Sequence, residues 1–475
     1  MVLLDFPSVV KKYAPHFEGC FSPEGYLHFK KALSGFIVGE NKTLEGINRM
    51  FVHDPRNQSS FNRFFNRQNF DLDGLDSKRL GMLQQLEGTR FKPRSSEEKG
   101  GVLGVDSSLL KHYGKHFDNI YYHYDYVHKC YRWCHDLVTL HYSDDSTDCP
   151  VHFRLWEPPD WESVARYFMG KGFTVNEAKW AGRHEKPQEW RNYIRARYQD
   201  GRKKHPGVLS IYKTKNHIAE DLIRKFCAQY PDLDFPIALD NGFTSAELCE
   251  AISGELKRDY VGTLRPDQHL IMKGGKKEAL KDFAARLKEE HLGQKGKPVF
   301  QKVTYNYKGG KNTAYAYCAN HRVKGFRKKQ RLVVFFFKED LSGKPNFVIA
   351  NRLSWYPSGI LRIRRHRWPV ETYHQEGKAE GLEEYQARNF EAVQTHIAFV
   401  AVAYCMLKCT AHDDALLSSI QQRLQTKADG TLPFLRRLMK AEGLLALIEF
   451  VLAMERQGHS IESTFQALVP GMAYS

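Results

Sequence analysis

The sequence predicts an α/β fold: a mixed sheet with a β-rich insertion before its last functional helix, flanked by helical regions at both ends. Three observations carry this. Between residues 100 and 265 strand-like runs come first as a meander and then alternate with helical patterns. Between Pro298 and Ala350 strands recur with glycine turns, after which the pattern returns to helices. Two apolar runs end on an aspartate, Asp106 and Asp240, the placement in which open α/β sheets collect their ligands.

In order, residues 1–98 read as a helical region. Phe29, Leu33, Phe36 and Ile37 recur at helical spacing, and Leu44, Ile47 and Phe51 repeat the pattern after Thr43. The turn-rich His53-Asp54-Pro55-Arg56-Asn57-Gln58 followed by Ser59-Ser60 and Phe61, Phe64 and Phe65 is compatible with a DNA-binding helix-turn-helix. The polar stretch Lys92 to Gly101 reads as a linker. A first part of the core, 99–265, holds the short strand Val102–Val105, a long strand Tyr124–Tyr142 and the alternation Val151, Phe153, Leu155. A helix over about Lys215–Tyr230, the strand Phe235–Leu239, a helix after Thr244 and the strand Tyr260–Leu264 follow. This is the strand order of a ribonuclease-H-like fold. Residues 266–352 form the β-rich insertion, with strands Val303–Tyr307, Thr313–Cys318, Leu332–Phe337 and Phe347–Ala350. A second part of the core, 353–412, carries helices from Pro369 to Gly381 and Asn389 to Lys408, and 413–475 is a helical tail.

The chain of 475 residues carries 71 Lys and Arg against 55 Asp and Glu, a net charge of +16. With 42% hydrophobic and 27% charged residues it can bury a sizeable core, which excludes a disordered tail or a disulfide-stapled miniprotein. The excess is clustered: Arg322 to Arg331, Arg362 to Arg367, Arg191 to Lys204 with Trp190, Tyr193 and Tyr198 interleaved, and Lys273 to Lys277. Any one run reads equally well as a solvated face, but four together make nucleic acid the expected partner ahead of an anionic membrane. The apolar runs Ile397–Leu407 and Leu444–Met454 fall short of the roughly 20 residues of a membrane span, so no transmembrane helix is expected. The N-terminus, interrupted by Asp5 and Pro7, lacks the basic start of a secretory signal, which predicts a cytoplasmic chain. The nine cysteines include no C-x2-C pair and are expected to be reduced. A zinc site from His128, Cys130, Cys134 and His135 is disfavoured, because strand alternation sets His135 opposite the other three.

The chemistry rests on three acids. Asp106 in Val-Leu-Gly-Val-Asp-Ser-Ser and Asp240 in Pro-Ile-Ala-Leu-Asp-Asn-Gly-Phe would each present a rigidly held carboxylate to a hard cation. The bland alternatives are an Asp-Asn-Gly turn and a helix cap. The third lies in Arg364-Arg365-His366-Arg367-Trp368-Pro369-Val370-Glu371, where Pro369 suits the first turn of a helix with Gln375 and Lys378 on the Glu371 face. On spacing alone an ordinary amphipathic surface helix is the favoured reading of that segment.

These residues resemble the DDE transposases of bacterial insertion sequences that carry the YREK signature, Tyr-x2-Arg-x3-Glu-x6-Lys. Arg367, Glu371 and Lys378 match its last three positions, while Arg364 stands where the family has tyrosine. Gly381 to Arg388 is similar to the family's Gly-Leu-Asp/Glu-x-Tyr-x-x-Arg segment, and Asp240-Asn241-Gly242-Phe243 to its second-aspartate motif. The β-rich segment lies where the family carries its insertion. The resemblance spans about residues 100 to 400 and implies a ribonuclease-H-like catalytic domain with Asp106, Asp240 and Glu371 as catalytic acids. It implies two Mg2+ ions held by these acids, with Mn2+ able to substitute, and cut-and-paste transposition through a hairpin intermediate. Arg364, Arg367 and Lys378 would contact phosphates, and Trp368 would stack on a flipped base unless it is instead a core residue behind the helix. The implied partners are double-stranded DNA, as terminal inverted repeats and target, and a second copy of the chain on paired ends. The implied location is the bacterial cytoplasm, on the nucleoid. The acids nearest in sequence, Asp232, Asp234 and Glu376, are alternatives; Glu376, five residues on, is rotated off the Glu371 face. Another metal-dependent nuclease or resolvase on the same sheet, or a non-catalytic DNA-binding derivative, are the competing readings.

Overall fold

The computed structural model describes residues 2–52, 58–67, 71–92, 100–125, 128–293, 298–427 and 430–468. Residues 53–57 of the turn expected near the N-terminus, and 93–99 of the expected linker, lie outside these.

The described strands are β1 (Val102–His112), β2 (Tyr121–Asp125), β3 (Cys130–Ser143), β4 (Asp148–Trp156), β5 (Ile237–Leu239), β6 (Tyr260–Thr263), β7 (His269–Ile271), β8 (Lys277–Ala279), β9 (Gln301–Tyr307), β10 (Gly310–Val323), β11 (Gln330–Phe336) and β12 (Asn346–Ala350). They form one mixed sheet in the order β2-β3-β1-β5-β6-β12-β11-β10-β7-β8, with β4 also on β3 and β9 also on β10. Only β1, β5 and β6 are mutually parallel. Helices flank the sheet, and the architecture is the mixed α/β, ribonuclease-H-like fold that the strand order predicts.

Two local readings need correction. The run Tyr124–Tyr142 is two antiparallel strands rather than one, because the Asp125 carboxylate accepts the His128 N–H at 3.2 Å and Lys129 takes a left-handed conformation, φ 53°, turning the chain between β2 and β3. The strand at Val102 does not stop at Asp106. Ser107-Ser108 reads as a turn, but Leu109, Leu110 and Lys111 continue the ladder with β3 as far as His112 paired with Trp133.

The β-rich segment is continuous with the core sheet. Its last strand, β12, returns to pair antiparallel with β6, Val348 opposite Thr263 and Ala350 opposite Val261, and β11 and β12 bury Leu332 to Phe336 and Phe347 to Ala350. It also contains a helix, Leu280–Gly293, that the sequence reading did not include. Between β4 and the helix Lys215–Gln229 lies a further helical module, Trp161–Ser210, with a small core of its own from Trp161, Val164, Phe168, Trp190, Ile194 and Tyr198. The aromatics read as interleaved with basic residues are therefore divided. Trp190 and Tyr198 face that core, while Arg191, Arg195, Arg197, Lys203 and Lys204 face outward.

The N-terminal helices clasp the long helix Phe390–Ala411. Phe29 of the helix Pro23–Val38 and Phe64 and Phe65 of the helix Gln58–Arg67 meet Phe399. The preceding helix, Leu44–Asn48, is only five residues, shorter than the first arm of a helix-turn-helix. Among the described residues Phe390–Ala411 is the one helix long and apolar enough to cross a membrane, and 83% of its apolar window is buried, as in a core helix.

Candidate active site

Register brings the two aspartates together. β1 and β5 pair in parallel from Leu103–Ile237 to Val105–Leu239, so the next residues, Asp106 and Asp240, stand level on adjacent strands, whose axes lie about 4.8 Å apart. Asp106 is thus in the middle of β1 yet at the carboxyl end of the parallel part of the sheet. Its Oδ1 accepts the Ser107 N–H at 2.8 Å. Asp240 ends β5 and does make the Asx turn that its Asn-Gly context suggests: Oδ1 accepts the N–H groups of Gly242 and Phe243, both at 2.9 Å. That turn engages one oxygen and fixes the carboxylate.

Glu371 arrives on the helix Pro369–Ala379, laid over β1 and β3. Val370 and Tyr373 are buried beneath it, and the Thr139 hydroxyl of β3 meets His374 Nε2 at 3.0 Å. The helix approaches β1 closely because residue 104 is glycine: a Cβ there would stand 3.3 Å from Arg367 Cα. Its far end is stopped at Gly381, φ 99°, where a side chain would collide with Lys42. Arg436 of the helix Leu432–Arg456 pairs with Glu376 and Glu380, fixing that end from outside. Glu376 is therefore a structural partner of Arg436.

Arg367 joins the acids. Its Nη1 donates to Asp106 Oδ2 at 3.0 Å and its Nη2 to Glu371 Oε1. Burial pushes the Asp106 carboxyl up to about 6, the Asp240 and Glu371 charges adding to the rise and Arg367 opposing it. The Arg367 guanidinium is raised although burial works against it, because the carboxylates of Asp106, Glu371 and Asp240 together outweigh that penalty. The three acids thus share one electrostatic field. Asp234 pairs instead with Arg258 at 2.8 Å.

The remaining expected residues spread outward. Lys378 Nζ donates to the Leu109 carbonyl at 2.7 Å and lies 3.4 Å from Glu383, so it sits along β1 beyond Asp106. Arg364 packs its guanidinium over the Phe335 ring at 5.2 Å, and burial lowers its pKa. Trp368 is 48% exposed with the Arg365 guanidinium 5.6 Å from its ring centre, which overturns the core-tryptophan alternative. Arg362, read as part of a basic patch, is buried against Asp145 at 3.0 Å. Lys215, which no motif singled out, donates to Ser107 Oγ at 3.2 Å and to Asp136 at 2.8 Å on the opposite face of β1.

His374 gives the site a pH signature. Burial lowers its pKa to about 3, and the charges on His141, Lys378 and Arg367 act the same way. Between that value and an unfolded value of about 6.5 the unfolded chain binds the extra proton, so stability is full above 6.5 and declines as pH falls. His374→Gln, which keeps an acceptor for Thr139, is expected to recover about 2 kcal/mol of the stability lost between pH 6.5 and 5. Denaturant midpoints at the two pH values measure it, and an unchanged acid limb would sink the assignment.

A family model described as "DDE superfamily endonuclease" matches residues 28–277, more than half of the chain. The chain belongs to the DDE superfamily of endonucleases. A second model, "Transposase DDE domain", matches residues 213–406 of this DDE endonuclease. The first match contains Asp106 and Asp240, the second Asp240 and Glu371. Among solved structures, the DDE endonuclease is similar to a piggyBac transposase synaptic complex with hairpin DNA, at 11% identity and a TM-score of 0.34, covering 91% of this chain and 77% of that one. That likeness is too slight to argue from. No curated protein matches by sequence.

Proposed function

We propose that this chain is a cut-and-paste DNA transposase of the bacterial insertion-sequence type with the YREK signature. It cleaves DNA at transposon ends, through a hairpin intermediate, and joins those ends to a target. The observation that supports the reading is the placement of Asp106 level with Asp240 on adjacent parallel strands, with Arg367 bridging Asp106 to Glu371.

The donor set fits divalent metal. Three carboxylates, and no thiol or imidazole among them, are hard oxygen ligands of the kind Mg2+ or Mn2+ takes. Burial raises the Asp106 carboxyl and the charges of Asp240 and Glu371 add to the rise, so a cation placed there would favour its ionised form. Among the described residues no three such side chains already enclose a cation site, so Arg367 must release at least one carboxylate oxygen before the acids can close on metal. Asp106, Asp240 and Glu371 would hold such ions, whose chemistry when bound would be activation of a water or 3'-hydroxyl and stabilisation of the leaving oxygen. The chain's own groups position the DNA. Arg367, once released, would pair with a phosphate as an alternative anion, Lys378 is set one strand segment further along β1, and the exposed indole of Trp368 would offer a face to a displaced base. Arg364 adds cationic charge behind them. The N-terminal region 1–98 and the outward arginines of the helical module extend this surface to duplex DNA, and a dimer on the nucleoid brings two ends together.

The test is incubation of the purified protein with its element's end DNA and Mg2+, read on a denaturing gel that resolves nicks, hairpins and joined products. Tight binding without cleavage in any divalent metal would favour a non-catalytic DNA-binding protein, and cleavage without joining a nuclease or resolvase. End binding should also weaken with salt, log affinity falling by about 0.9 per neutralised phosphate against log salt. A flat salt response would remove the basic surface from the proposal.

A further inference from the structure

The hairpin of β2 and β3 has no part in the chemistry above, yet it carries an unusual surface. From Lys111 to Trp133 the described residues include Tyr113, Phe117, Tyr121, Tyr122, Tyr124, Tyr131 and Trp133, with four Lys or Arg against two Asp. Register sets Tyr122 opposite Trp133 and Tyr124 opposite Tyr131. The rings form a ladder, with centroids 5.2 Å apart for the first pair, 5.1 Å for the second and 5.4 Å for the diagonal Tyr122–Tyr131 contact, whose planes lie within 23°. Tyr122 and Tyr131 are 49% and 58% exposed, where aromatic rings ordinarily turn inward.

The ladder's position is specific. Asp106 faces Thr139, and His112 faces Trp133, in the same β1–β3 register. Paired residues share a face and successive residues alternate, so Trp133, six residues from Thr139, lies on the face that bears Asp106 and the Glu371 helix. Six residues of strand span about 20 Å. The ladder is therefore an aromatic shelf in line with the carboxylates, with Lys378 on the Leu109 carbonyl between them. Lys115, in the segment joining β1 to β2, and Lys129, in the turn between β2 and β3, are exposed. Cross-strand stabilisation explains ring pairs as such, but not rings left open to solvent on the substrate side among cations.

We infer that the aromatic face of the β2–β3 hairpin binds the unpaired nucleobases of the DNA strand leading away from the catalytic carboxylates. Flat rings beside lysines suit a single strand, whose bases are free to stack while its phosphates are neutralised. A duplex keeps its base faces covered and presents phosphates and groove edges. At the roughly 3.4 Å per nucleotide of a fully stacked strand, the 20 Å offset corresponds to at most about six nucleotides between the cleaved phosphate and the first stacked base, and to fewer in a more extended strand. The inference rests on the transposase reading only for the strand's polarity towards the site; the shelf itself is testable without cleavage.

The experiment measures binding of the full-length protein, without metal, to a fluorescent oligothymidine of 20 nucleotides and to a duplex of the same length. The variant Tyr122→Leu/Tyr131→Leu, which keeps apolar bulk on the strands, is compared with wild type after its circular dichroism is matched. Affinity for the single strand should fall at least tenfold and affinity for the duplex by less than twofold. Equal losses on both DNAs, no loss on either, or loss of self-association in sedimentation with single-strand binding intact would each overturn the inference, the last assigning the face to a protein contact. Should the variant fail to fold, photocrosslinking of the wild type to 5-iododeoxyuridine DNA decides. Adducts on Tyr122, Tyr131 or Trp133 support the shelf, and adducts found only elsewhere overturn it. A wild type that shows the ring-dependent preference but never cleaves its end DNA would defeat the transposase reading and leave the shelf standing.

Discussion

Replacing Glu371 by glutamine is expected to lower end cleavage by about 10^3-fold or more, the scale on which enzymes lose rate when a group acting on developing charge is removed. Asp106→Asn and Asp240→Asn should fall as far. The fold should survive all three changes, because none of these carboxylates fills a core position. Glu371 is held by its backbone on a helix fixed through Val370, Tyr373 and His374, and Asp240 keeps an amide oxygen able to accept from Gly242 and Phe243. Binding of end DNA should accordingly remain within a few-fold of wild type. A nuclease assay on all three, with a filter-binding control, checks this. Cleavage retained by any one removes that residue from the triad, and binding lost in parallel would mean that the substitution acted through the fold.

The second large effect is on stability. Asp148 is buried where three parts of the chain meet. Its Oδ1 accepts the Tyr404 hydroxyl at 2.8 Å, and its Oδ2 accepts Lys408 at 2.9 Å and Lys308 at 3.1 Å. Burial alone would raise this carboxyl, but Lys408, His141 and Lys308 hold it well below the usual carboxylate range. The group is ionised throughout the neutral range, and its contribution fades only in strong acid. Asp148→Ala leaves two ammonium groups and a hydroxyl without their acceptor, a loss of about 3 to 5 kcal/mol. Denaturant unfolding followed by tyrosine and tryptophan fluorescence should show it, and a change under about 1 kcal/mol would mean that Lys308 and Lys408 reach water in the variant. Since Lys308 lies between β9 and β10, this one carboxylate also fastens the start of the β-rich segment to the core.

Much of this was legible because residue chemistry and local period agreed. Apolar runs ending on Asp106 and Asp240 marked adjacent strands, Pro369 marked the start of the Glu371 helix, and Gly309-Gly310 and Gly343 marked turns of the β-rich segment. Properties set by pairing were not legible. No local signal tells Asp106 that β1 continues to His112, since Ser107-Ser108 favours a turn and only the ladder with β3 overrules it. Nor does the sequence of β12 name β6 as its partner. The helical module was visible in principle, as Trp190, Ile194 and Tyr198 recur every four residues, but the intervening arginines drew the reading towards a nucleic-acid patch. The salt bridges of Arg367 were likewise hidden, because an arginine near candidate catalytic acids reads as a phosphate ligand until geometry shows it paired with Asp106 and Glu371.

The return of β12 to β6 governs the order in which the chain can mature during synthesis. Asp106 and Asp240 can take their places early, but the strand that closes the sheet beside β6 is complete only at Ala350, and Glu371 is later still. The N-terminal helices wait longest, since Phe29, Phe64 and Phe65 pack against Phe399 on a helix that ends at Ala411. At the 5 to 20 residues per second of translation, Phe65 would stay uncovered for roughly 20 to 70 s. Phe29, Phe64 and Phe65 therefore lack their Phe399 partner throughout that interval. The proposed site, which includes Glu371, assembles only after the sheet has closed at Ala350.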